Sequence, residues 1–89
     1  MQLSVTIETT NKGGILATLR DDAGRELVKA IAPNLLTWHN AGINLFNAAI
    51  KLNPSNLHFV VSSVGEFKAS ATKYFETHLN SLAVLTRAI

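Results

Sequence analysis

Two glycine-bearing turns, set between three short runs of alternating residues, constrain this chain more than any other feature. In the first run Leu3, Val5 and Ile7 alternate with Ser4, Thr6 and Glu8. A period of two with β-branched residues is the pattern of a strand that buries one face. Asn11-Lys12-Gly13-Gly14 follows, where glycine can take positive φ without steric cost. Ile15, Ala17 and Leu19 alternate next, and Asp21-Asp22-Ala23-Gly24 makes the second turn. Glu26–Ala32 supplies a third strand, with Leu27, Lys29 and Ile31 alternating with Val28, Ala30 and Ala32. Its near-continuous apolar character implies partial cover on both faces. Strands joined by turns this short are antiparallel neighbours, so the first third reads as a three-stranded meander.

After Pro33-Asn34 the period changes to that of a helix. Thr37 is the expected N-cap, and the helical pattern runs to Leu52. Ile43, Phe46, Ala49, Ile50 and Leu52 share its apolar stripe, with Leu45 at the edge. Gly42 costs a helix about 1 kcal/mol against alanine, which implies close approach of this helix to the sheet. Asn53-Pro54 stops it. Leu57–Val64 then reads as a fourth strand, apolar on both faces at Phe59-Val60-Val61 as expected for an interior strand, and a right-handed crossover makes it parallel to its neighbour. From Glu66 a helical pattern continues to the end, with Phe67, Ala71, Tyr74, Phe75, His78, Leu79, Leu82, Leu85 and Ile89 on one broad stripe. Asn80-Ser81 either interrupts this helix or lies within it. The expected fold is α+β, a single domain over residues 1–89 with the order βββαβα.

Composition narrows the class. The 89 residues are 47% hydrophobic and 16% charged, with net charge +2 and no cysteine. That excludes a disordered tail, a highly basic nucleic-acid arm, a disulfide scaffold and a thiolate zinc site. The chain opens on alternation rather than an apolar signal core, and no run reaches the roughly 18–20 apolar residues of a membrane span. The expected compartment is the cytoplasm, or the host cytoplasm if the gene is viral.

The order of elements resembles the first half of the ribonuclease H fold. Thr6-Ile7-Glu8-Thr9-Thr10-Asn11 and Gly13-Gly14-Ile15-Leu16-Ala17-Thr18-Leu19-Arg20-Asp21-Asp22-Ala23-Gly24-Arg25-Glu26 are similar to the family's opening strand, glycine-rich turn and hairpin. His39-Asn40-Ala41-Gly42-Ile43-Asn44-Leu45-Phe46-Asn47-Ala48-Ala49-Ile50-Lys51-Leu52 is similar to its first helix. The resemblance implies four carboxylates holding two divalent cations for phosphodiester hydrolysis. Only Glu8 keeps a carboxylate. The helix position falls near Asn44 or Leu45, and the fourth-strand position on Ser62 or Ser63. One carboxylate cannot hold a pair of Mg²⁺ ions, so a truncated, catalytically silent form is expected, with no cofactor and no metal.

The other chemical groups read as follows. His39, His58 and His78 have no metal-ligand spacing and are expected to be scattered. Ser62-Ser63-Val64-Gly65 could offer backbone N–H groups to an anion, or simply cap a helix. Asp21-Asp22 fits a turn better than an acid–base pair with Glu8. Lys12, Arg20, Arg25 and Lys29 lie on the meander, interleaved with Asp21, Asp22 and Glu26. They form either a nucleic-acid face or a solvated mixed-charge face; aromatics for base stacking are absent from the meander. Trp38 belongs either to the core or to an exposed contact patch.

The last helix carries the functional expectation. About 24 residues would span roughly 36 Å, longer than the strands it packs on. Its stripe at Phe75, Leu79, Leu82, Leu85 and Ile89 is spaced close to 3.5, as in a helix-pairing seam. The sequence therefore predicts a non-enzymatic interaction module that forms a homodimer through this helix and acts by binding a protein partner. A nucleic-acid-binding domain is the alternative.

Overall fold

The computed structural model describes residues 2–10, 13–52, 57–64 and 69–87. Three strands open the chain: β1 (Gln2–Thr9), β2 (Ile15–Arg20) and β3 (Glu26–Ala32). A single 3₁₀ turn, Leu35–Thr37, leads into helix α1 (Trp38–Ile50). Strand β4 (His58–Ser63) and helix α2 (Ala69–Arg87) complete the α+β order. The sheet order is β3-β2-β1-β4, with β1 antiparallel to β2, β2 antiparallel to β3, and β4 parallel to β1. The expected meander and parallel fourth strand are both present.

The register explains the period-two pattern. Val5 pairs with Leu19 and Val61, Leu3 with Phe59, and Ala17 with both Ile7 and Ala30. Because paired residues share a sheet face, these side chains form one apolar surface. Leu3, Val5, Ile7, Leu19 and Phe59 are fully buried on it, and the helices cover it with Leu45, Phe46, Ala49, Phe75 and Leu79. The smallest extent of the molecule is 18 Å, which accommodates two layers spaced about 10 Å apart and no third. The opposite sheet face, with Ser4, Thr6, Arg20, Lys29, Ile31, Val60 and Ser62, is therefore covered by no other described element, although Thr18 at its centre is buried.

Several sequence expectations need correction. Helix α1 ends at Ile50, and Leu52 is exposed rather than part of the stripe. The buried stripe is Ala41, Gly42, Leu45, Phe46 and Ala49, so Leu45 lies at its centre and not its edge. The helix is rotated toward a second helix as well as the sheet. Gly42 serves that contact: a Cβ there would collide with the His78 ring at Cδ2, so the close approach is to α2 and not to the sheet. Thr37 sits at the N-cap but makes no side-chain cap bond; its hydroxyl donates to the Asn34 carbonyl at 2.7 Å. Helix α2 runs through Asn80-Ser81 without interruption. The expected start of this helix at Glu66 and Phe67, and its end at Ile89, lie outside the described residues, as does Asn53-Pro54.

Candidate functional site

Helix α2 is placed by two sets of side chains. Phe75, Leu79 and Ala83 face inward and are buried, and Leu82 packs half-buried beside them. On an adjoining face Glu76 and Asn80, one turn apart, reach the free edge of β4. Phe59 N–H donates to Asn80 Oδ1 at 2.9 Å, and Asn80 Nδ2 donates back to the Phe59 carbonyl at 3.0 Å. Val61 N–H donates to Glu76 Oε2 at 3.2 Å. Two helix side chains thus take the place of a further strand. A sheet edge left bare would carry a row of unmet donors and acceptors.

Beyond this clamp the helix surface turns outward. Glu76, Thr77, Asn80, Ser81, Val84 and Leu85 line a shallow groove, and Val84 and Leu85 are 56% and 63% exposed. Of the helix-pairing seam expected from the sequence, Phe75 and Leu79 are spent in this chain's own core. Leu85 is the member left on the surface, and Ile89 lies outside the described residues. Five residues at near-3.5 spacing include both core and surface because the helix buries an ordinary amphipathic stripe against its own sheet.

The seam between α1 and α2 holds the aromatic residues. Trp38 packs 5.5 Å from Tyr74 and 5.9 Å from Phe75, which places it against the core and not in an exposed patch. Beside them the His39 and His78 rings pack tilted by 34°, with centroids 4.7 Å apart. They are paired, not scattered as expected. His78 Nε2 lies 3.4 Å from the His39 carbonyl. Burial pushes the His78 imidazole below its ordinary value of 6.5; the nearby His39 ring adds to this, and the carbonyl contact opposes it. His58 stands apart on β4. Among the described residues no three His, Cys, Asp or Glu groups converge as a metal site.

The basic residues of the meander do not act together. Arg25 is bound to Asp21 through Nε at 3.1 Å, while Asp21 Oδ1 accepts the backbone N–H groups of Arg25 and Ala23. The Arg25 backbone donor, then the Ala23 donor and the guanidinium, hold the Asp21 carboxyl below its usual range. Asp21 is therefore a turn residue, as its position suggested. Lys29 lies 3.6 Å from Glu26, and Arg20 donates to Thr6 Oγ1 at 3.0 Å. Arg20 and Lys29 share the open sheet face, which carries no Phe, Tyr or Trp among its described positions. Lys12 lies outside the described residues. Glu8 is exposed near the end of β1, and Ser62 and Ser63 are exposed at the end of β4; their continuation through Gly65 is outside the described residues.

No protein-family model matches the chain, and a search of curated proteins finds no match. Among the described residues, no helix is long and apolar enough to cross a membrane.

Proposed function

We propose that the protein is a non-catalytic interaction module, self-associating and binding a protein partner through the outer face of α2, in the cytoplasm of its cell or host. The observation that carries this reading is the placement of Val84 and Leu85. They project from a helix whose inward face is already satisfied by Phe75, Leu79 and Ala83. Among the described residues their exposure serves no packing, and a groove beside them offers polar groups at Thr77 and Ser81 for a partner's backbone. A resemblance to ribonuclease H belongs to the same proposal: the order β3-β2-β1-β4 with a parallel fourth strand supports it. The lone carboxylate of Glu8 supports the silent form.

A photoactivatable residue at position 85 of the full chain tests the reading in the source cell. Irradiation is expected to yield a covalent adduct to a protein, and the adduct is expected to disappear when Val84→Asp is introduced beside it. Binding of an oligonucleotide with a steep salt dependence, and no protein adduct, would overturn it in favour of the nucleic-acid alternative.

A further inference from the structure

The two edges of the sheet are finished differently. On β4 the outward groups of Phe59 and the outward N–H of Val61 are taken by Asn80 and Glu76. The directions of the remaining backbone groups follow across the sheet, because they alternate along each strand. Val64 N–H donates to the Ile7 carbonyl, so Leu3, Val5 and Ile7 face β4 and Ser4, Thr6 and Glu8 face β2. Their partners Arg20, Thr18 and Leu16 face β1, which leaves Ile15, Ala17 and Leu19 facing β3. Asp21 N–H donating to the Arg25 carbonyl continues that alternation. Ala32, Ala30 and Val28 receive those bonds, so Lys29 and Ile31 aim their N–H and C=O groups away from the sheet. Among the described residues nothing meets them, and the Ile31 side chain is 67% exposed beside them.

We infer that the open edge of β3 pairs antiparallel with β3 of a second copy, on a two-fold axis at Ala30. This inference rests on the self-association proposed above and assigns it to the sheet edge, with the outer face of α2 kept for the protein partner. The edge offers main-chain bonding that does not depend on side-chain area. With the axis at Ala30, Lys29 stands opposite the partner's Ile31 and Ile31 opposite the partner's Lys29. About four main-chain hydrogen bonds result, since both residues present outward groups. The lysine stems cover the isoleucines while their ammonium groups stay in water. An axis at Lys29 would set like charges face to face and is disfavoured. A second copy also explains the difference between the edges. Pairing at β3 joins two sheets whose outer edges are both closed by Glu76 and Asn80, so assembly stops at the dimer and does not run on into a fibre. It leaves the two α2 faces at opposite ends, free for partners.

Sedimentation equilibrium of the full chain tests this. Ile31→Pro removes an outward donor without breaking a bond to β2, and proline is tolerated at such edge positions. The wild type is expected at twice the chain mass and Ile31→Pro at half that value, with Leu85→Asp remaining dimeric. In wild-type hydrogen exchange the amides of Lys29 and Ile31 should slow as concentration rises, a readout that does not depend on the variant folding. A wild-type monomer at high micromolar concentration would overturn the inference. So would a dimer in which these amides stay unprotected. A dimer lost in Leu85→Asp and kept in Ile31→Pro would return self-association to the helix.

Discussion

At Gly42 a single hydrogen atom sets the distance between the helices. The His78 ring occupies the space a methyl group would need, and it is held there by the His39 and Tyr74 rings. Gly42→Ala gains helix propensity worth about 1 kcal/mol but forces the ring out of its stack. Overpacking of this kind costs roughly 1–3 kcal/mol, so urea unfolding should show a net loss. Gly42→Ala with His78→Ala should recover most of it, giving a coupling energy in a double-mutant cycle. His78 also gives the seam a pH dependence. Its folded pKa lies below 6.5, so the unfolded chain takes up the proton first. This contribution is intact above about pH 6.5 and declines as the pH falls toward the folded value. Melting temperatures between pH 7.5 and 5 should therefore fall less in His78→Gln than in the wild type. The neighbours that bear on it are His39 from α1 and Lys73 and Tyr74 from α2, none of them an acid that would reward protonation.

Helix α2 works as an element with separate faces. Leu79 is fully buried, so Leu79→Ala should cost about 2–5 kcal/mol in chemical denaturation. Leu85 is mostly exposed, and Leu85→Asp should stay within roughly 0.5 kcal/mol of the wild type. Comparable losses at both positions would mean that Leu85 is buried by something in solution. On the clamp face, Asn80→Ala leaves the Phe59 N–H and C=O without partners and should cost about 1–3 kcal/mol. The same variant opens the β4 edge, so a rise in light scattering on standing is the second expected outcome.

The described residues form two layers, with one bare sheet face and one bare edge. The bare face carries hydroxyls and mixed charge, with Lys29 beside Glu26 and Arg20 on Thr6. Among the described residues Glu8 belongs to no group of three or more side chains that could hold a metal ion. The full chain is expected to leave an RNA–DNA hybrid intact in Mg²⁺ or Mn²⁺. Cleavage that disappears in Glu8→Ala would show otherwise, and isothermal titration with either ion should give no saturable site.

How much of this could be read from the residues depends on the range of the cause. Turns and strand periodicity are local, so Gly13-Gly14, Asp21–Gly24 and the alternation from Leu3 to Ile31 already specified the meander, its register faces and most of its core. The parallel fourth strand followed too, because handedness limits how a strand–helix–strand unit can close. Contacts between elements are not local. The apolar stripe of α2 told which residues avoid water, but not whether the sheet or another chain would cover them; only packing assigned Phe75 and Leu79 inward and Leu85 outward. Asn80 reads locally as a poor helix residue, and its actual bond is to Phe59, 21 positions away. Gly42 signalled a close approach, yet the partner was His78 on the second helix, far along the chain. Phe59-Val60-Val61 reads as an interior strand, yet β4 lies at the sheet edge, because edge and interior strands look alike in composition. Tertiary structure alone decided that β4 would be closed by a helix and β3 left open, because backbone direction is set by the ladder and not by the side chains that spell the sequence.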